Sequence, residues 1–175
     1  MCLFVSKPEP KAAKEDIVAY KVVYVVRKET KLLYSPIRED YGCLQLISEQ
    51  ENMEYRTPYR HKPIKMYETM ENPDEMNIKK NESTGTDFWE INEGVFHLFC
   101  YYRQAKKFAA ILTISALDVY AGTGRVITYH VIEAVIPKGT EYYDGYFSST
   151  YGNYWSYGAR SVLYREIKEE PQACK

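Results

Sequence analysis

A basic excess is missing from this chain: 23 lysines and arginines stand against 24 aspartates and glutamates. Proteins that bind by neutralising many phosphates carry a clear positive surplus, so nucleic acid is not an expected partner. Missing too is any stretch near the ~20 apolar residues of a membrane span, and no membrane role is expected. The four cysteines, Cys2, Cys43, Cys100 and Cys174, form no Cys-x-x-Cys pair, and two lie at the ends of the chain. That usage suits free thiols in a reducing compartment and argues against a disulfide framework. Only Met1 precedes Cys2, where a lipoprotein cysteine follows a charged and then apolar signal, so a lipid-anchored cysteine is not expected. With no route to secretion in view, the Asn81-Glu82-Ser83 sequon is idle and a cytoplasmic location is expected.

The chain's 175 residues fit one domain, which at that length buries close to ~70% of its unfolded surface. Such a core needs neither disulfide nor metal, and no cofactor is expected. Tyrosine is the abundant residue, with 18 copies. It suits half-buried sheet faces and contact surfaces alike. Six aromatics fall within "GYFSSTYGNYWSYG", residues 145–158. The stretch reads as the loop and flanks of a β-hairpin, with Tyr146, Tyr151, Tyr154 and Trp155 as its candidate binding residues.

Residues 1–16 mix Pro, Lys and Glu and read as a flexible lead-in. "DIVAYKVVYVV" (16–26) reads as a central strand apolar on both faces, with a loop at 27–30 and a partner strand at 31–36. Residues 49–93 carry 11 acids against six bases and keep neither period, so a long surface excursion and candidate partner surface is expected. Tyr102, Ala105, Phe108, Ala109 and Leu112 share one stripe, which places a helix at about 101–113. A long strand at 124–137, a short one at 140–143 between two turn signals (Lys138-Gly139, Asp144-Gly145) and a last strand at 157–167 follow. Residues 168–175 make a polar tail. The expected fold is α+β: a mainly antiparallel, curved sheet with one principal helix packed on it, spanning 17–167.

No complete catalytic set is apparent. "AGTGR" (121–125) lacks the Lys-Ser of a P-loop and reads as a strand-entry turn. His97 and Cys100 stand three apart, a spacing that on a helix shares a face and could hold a metal or pair thiolate with imidazole. The competing reading is a half-buried histidine beside a core cysteine. His130 and Glu133 have opposite parity on one strand and face opposite sides. Glu133, inside the apolar "VIEAVIP", must be paired, reach an edge or line a cleft.

The segments "AYKVVYV", "LYSPI", "EGVFHLF", "QAKKFA", "IPKGTEYYDG" and "YGARSVLY" together resemble a pattern of small uncharacterised proteins of gut Bacteroidetes and their phages and prophages. That resemblance implies an accessory origin, of the mobile-element kind, and no mechanism. A looser resemblance, through Gly94, Val95, Phe96, Ala105 and Ala109, is to the ADP-ribosyltransferase fold. It implies an NAD- or nucleotide-using enzyme, with His97 or Tyr20 near the nicotinamide ribose and Glu133 or Glu166 steadying the charge that develops. The residues themselves favour a non-catalytic interaction module using the hairpin (142–157) and the excursion (49–93), its partner another protein or a second copy. Stacking of a glycan or a single nucleic-acid strand on the aromatics is the remaining expectation.

Overall fold

In the computed structural model, residues 3–26, 33, 35, 64–81, 88–119, 127–149 and 152–168 are described. They form β1 (Leu3–Val5), β2 (Lys11–Ala12), β3 (Ile17–Val26), β4 (Thr69–Glu71), β5 (Asn77–Asn81), β6 (Phe88–Glu93), β7 (Phe96–Phe99), α1 (Tyr102–Val119), β8 (Ile127–Ile136), β9 (Glu141–Ser149), β10 (Gly152–Ala159) and β11 (Ser161–Arg165). One sheet runs in the order β4-β11-β8-β3-β7-β10-β9-β1-β6-β5, with β2 also beside β9. Among the described residues this is the expected α+β architecture of a mainly antiparallel sheet and a single helix.

The two apolar strands expected from the sequence lie side by side. β3 and β8 pair along their full ten residues, from Ile17 opposite Ile136 to Val26 opposite Ile127. Both are apolar at odd and even positions because both sheet faces are covered. On one face, Ala105, Phe108, Ala109 and Leu112 of α1 pack on Val22, Phe99, Phe147 and Tyr154. On the other, Ala19, Val23, Phe96, Leu98 and Tyr164 are closed over by Ile64 and Leu33. Lys21 faces this second side fully buried, and its Nζ donates to the carbonyl of His97 at 3.2 Å. A cation can sit there because it is hydrogen-bonded.

The lead-in is not flexible throughout. β1 lies inside the sheet between β9 and β6, and Leu3 and Val5 are buried. Alternation within "LFV" is too short to be told from a tail, yet it gives two side chains to a core cluster with Ile91, Val95 and Tyr143. The helix continues past the expected residue 113 to Val119. The excursion contributes β4, β5 and β6, which its mixed charge concealed because they lie toward the sheet's margins and bury little. Asp144-Gly145 is not a turn: β9 runs straight through it. Gly145 is required for closeness instead, since a Cβ would overlap the carbonyl oxygen of Phe4 and approach Val5 Cγ1 at 2.9 Å. The last strand is broken at Arg160, whose Nη1 donates to the carbonyls of Asp74, at 2.7 Å, and Gly94. The expected loop at 27–30, most of the strand at 31–36, residues 49–63, the turn at 121–125 and residues 169–175 lie outside the described residues.

Leu3→Ala should lower stability by about 2–5 kcal/mol, the range for emptying a buried leucine site. Gly145→Ala should also be strongly destabilising because backbone, not a flexible side chain, must yield. Urea denaturation of both variants beside Ser6→Ala, an exposed control, checks this. A loss under ~0.5 kcal/mol for Leu3→Ala would return residues 1–16 to a loose lead-in.

Candidate functional site

Alternation along the β9–β10 hairpin sorts its aromatics. Phe147 is opposite Tyr154 and Tyr146 is opposite Trp155, so the first pair points to the helix and the second pair away from it. Phe147 and Tyr154 stack with centroids 5.0 Å apart inside the core. Tyr154 is only 3% exposed. It is therefore a packing residue, and its place among the candidate binding residues is corrected. Tyr151 lies outside the described residues.

On the face away from the helix, Tyr146 stacks on Phe4 at 5.5 Å with planes 24° apart. Phe88 meets Tyr146 edge-on at 5.9 Å. With Trp155, these rings form a row across β6, β1, β9 and β10. Trp155 is 56% exposed, yet its backbone is fastened on both sides. Its N–H donates to Gln104 Oε1 at 3.0 Å and its carbonyl accepts from the Cys100 N–H at 3.0 Å. A large apolar ring is thus held toward solvent by a fixed backbone. Tyr142 and Tyr157 meet edge-on nearby at 5.6 Å. The Lys11–Asp144 ion pair, 3.2 Å and exposed, adjoins them and adds little energy at such exposure. The sequence pointed to Tyr146 and Trp155, but not to Phe4 and Phe88. Those two join the row only through long-range strand pairing, and no local pattern marks them.

The three candidate catalytic residues do not meet. His97 is on β7, facing the core, and lies edge-on to Phe147 at 5.4 Å. Both its ring nitrogens are buried without a hydrogen-bond partner among the described residues. Burial, and secondarily Lys21, hold its pKa down to about 3. Glu133 is on β8, two strand spacings from β7 and hence roughly 10 Å away across the sheet. It forms an ion pair with Arg165, so of the options open to it the paired one is observed. Glu166 is exposed beyond the end of β11.

His97 and Cys100 do not share a face. Both precede the helix, and strand parity turns them to opposite sides. Cys100 instead meets Tyr157, and its thiol is pushed up to about 12, chiefly by burial, against the lowering effect of the Tyr157 hydrogen bond. It is protonated at neutral pH and a poor nucleophile. Among the described residues, no three His, Cys, Asp or Glu side chains gather as a possible metal site, and no helix is long and apolar enough to cross a membrane.

No family model, curated protein or solved structure matches the chain.

The sealed imidazole has a pH consequence. The folded state holds His97 neutral down to about 3, whereas the unfolded chain protonates it near 6.5. The unfolded state binds more protons between those values, so stability falls as pH drops through them. At pH 5 this amounts to about 2 kcal/mol at 1.36 kcal/mol per unit. His97→Leu should remove that part of the decline, read as the difference between urea-unfolding free energies at pH 7 and pH 5. Equal declines in wild type and variant would show that protonation of His97 is not involved.

Proposed function

We propose that the chain is a non-catalytic interaction module that binds another protein through the aromatic row Phe88–Phe4–Tyr146–Trp155. The observation that carries this reading is Trp155, 56% exposed on a backbone pinned by Gln104 and Cys100. Large, rigid aromatics give contact area with little side-chain entropy to lose, and they are enriched where protein surfaces meet. The described part of the former excursion contributes through Phe88, which opens β6. Strand β6 and the hairpin of 142–157 therefore serve one face.

The arrangement of the rings favours a protein over a stacked sugar or base. Stacking platforms offer open ring faces. Here Phe4 and Tyr146 are stacked on each other, so one face of each is already occupied and Phe88 closes on Tyr146 as well. An uneven surface of ring edges around one exposed indole suits an apolar protein patch. The nucleotide-enzyme reading keeps Tyr20 and Glu133, which are directly opposite on β3 and β8. It loses His97, buried on β7, and Glu133 is engaged by Arg165.

Trp155→Ala should leave unfolding within about 1 kcal/mol of wild type, and Tyr146→Ala should cost more because its contacts with Phe4 and Phe88 are lost. Each should weaken association at least roughly tenfold, the effect of a central interface aromatic. Pull-down with wild type and both variants, together with sedimentation across a concentration series, measures this. An unchanged partner set and unchanged oligomeric state in the variants would sink the reading. Loss of binding to oligosaccharides or oligonucleotides instead would transfer the face to the stacking alternative.

A further inference from the structure

We propose that the open end of the helix side is a second site, formed by Tyr20, Tyr102, Glu133 and Arg165, for a small hydroxylated anion of the sugar-phosphate class. It lies on the opposite side of the sheet from the aromatic row and does not rest on that reading. The strand registers place Arg165 opposite Glu133 and Glu133 opposite Tyr20. Three adjacent strands therefore carry these side chains in one line on one face. Arg165 donates through Nε to Glu133 Oε1. The helix starts at this line: Tyr102, its first residue, tilts against Tyr20 with centroids 5.5 Å apart. Lys106 Nζ lies 5.5 Å from the centre of the Tyr102 ring. One pleat farther along β3, Val18 is 45% exposed, so the helix leaves this end of the sheet open. The Glu133 and Arg165 side chains are 17% and 44% exposed and within reach of a ligand.

The fold gives little reason for this pair. A half-buried ion pair roughly breaks even against apolar side chains of similar size, so it is weak evidence of a stabilising role. The chemistry it offers is specific. A carboxylate only accepts hydrogen bonds, and a ligand satisfies it with hydroxyl groups. A guanidinium engaged through Nε retains its terminal Nη edge, a planar array suited to phosphate oxygens. Tyr20 adds a phenol beside the carboxylate; burial first and Glu133 second raise its pKa, so it remains a neutral donor and acceptor. A bare anion would meet the charge of Glu133, and a neutral sugar would leave the guanidinium edge unused. A molecule with vicinal hydroxyls and a phosphate fits both. Its source is either a free sugar phosphate or the sugar-phosphate part of a nucleotide.

Amide chemical-shift titration of the full chain tests this with ribose 5-phosphate, AMP, ribose and inorganic phosphate, in wild type, Tyr20→Phe, Glu133→Gln and Arg165→Lys. Ribose 5-phosphate should shift amides around Tyr20, Tyr102 and Glu133, with ribose and phosphate at least roughly tenfold weaker. Each variant should weaken ribose 5-phosphate about tenfold or more, as expected for a hydrogen bond to a charged group. Tyr20→Phe removes only a hydroxyl and keeps the comparison sound if Glu133→Gln melts. Tighter binding of AMP than of ribose 5-phosphate assigns the site to nucleotides, and equal or weaker binding assigns it to free sugar phosphates. No localised shifts, equal affinity for inorganic phosphate, or variants that bind as wild type would overturn the proposal. Trp155→Ala should bind ribose 5-phosphate like wild type, so failure of either site is read separately.

Discussion

Four rings in mutual contact hold this domain together. Phe99 of β7, Phe108 of α1, Phe147 of β9 and Tyr154 of β10 meet in all six pairwise combinations, with centroids 5.0–5.7 Å apart. Each such pair adds about 0.5–1.5 kcal/mol beyond simple burial. More important is what they join. The helix is fixed to a hairpin that follows it in the chain, across a strand that precedes it. Leu3 lies opposite Phe147 in the β1–β9 ladder, so the N-terminal strand depends on the same point. His97 rests on the edge of Phe147, which is why its imidazole is enclosed by carbon and cannot act as an acid or base near neutral pH.

The same tetrad fixes which aromatics face outward. Strand side chains alternate, and a slip of one residue would move every ring in the hairpin to the other face. With Phe147 and Tyr154 committed to the core, Tyr146 and Trp155 must point away. The high tyrosine content thus divides by parity rather than by position along the chain. Buried rings set the register, and the register presents the remaining ones on a backbone that has little freedom left. Preorganisation of that kind lowers the entropy lost on association.

The sequence was readable where the period was long and unmixed. β3 and β8 have ten residues each and are apolar at both parities, and the helical stripe from Tyr102 to Leu112 is unambiguous. It misled where a residue's role comes from a distant segment. Gly145 follows Asp144 as in a turn, but its reason is the approach of Phe4, some 140 positions earlier. Cys100 and His97 are three apart, which would join them on a helix and separates them here because the helix begins only at Tyr102. Three-residue β1 has too few alternations to declare itself. β4, β5 and β6 lie toward the ends of the sheet and carry many charges, since positions there bury little. Of the candidate site, Trp155 and Tyr146 were legible from composition. Phe4 and Phe88 were not, because only the β1–β9 and β1–β6 ladders bring them in.

Polar groups within the sheet differ in how completely the fold uses them. Lys21 is spent on the carbonyl of His97, linking β3 to β7. Arg160 ties the corner between β10 and β11 to the segments around Asp74 and Gly94. Both are cations that donate to backbone carbonyls and so join separate segments of the structure. The Glu133–Arg165 pair is different: its hydrogen bond joins the two side chains to each other rather than to the backbone. An apolar pair would fill the same volume without desolvating two charges. The row from Arg165 through Glu133 to Tyr20 is therefore the part of the helix side that packing explains least, and it lies where the helix leaves the sheet uncovered.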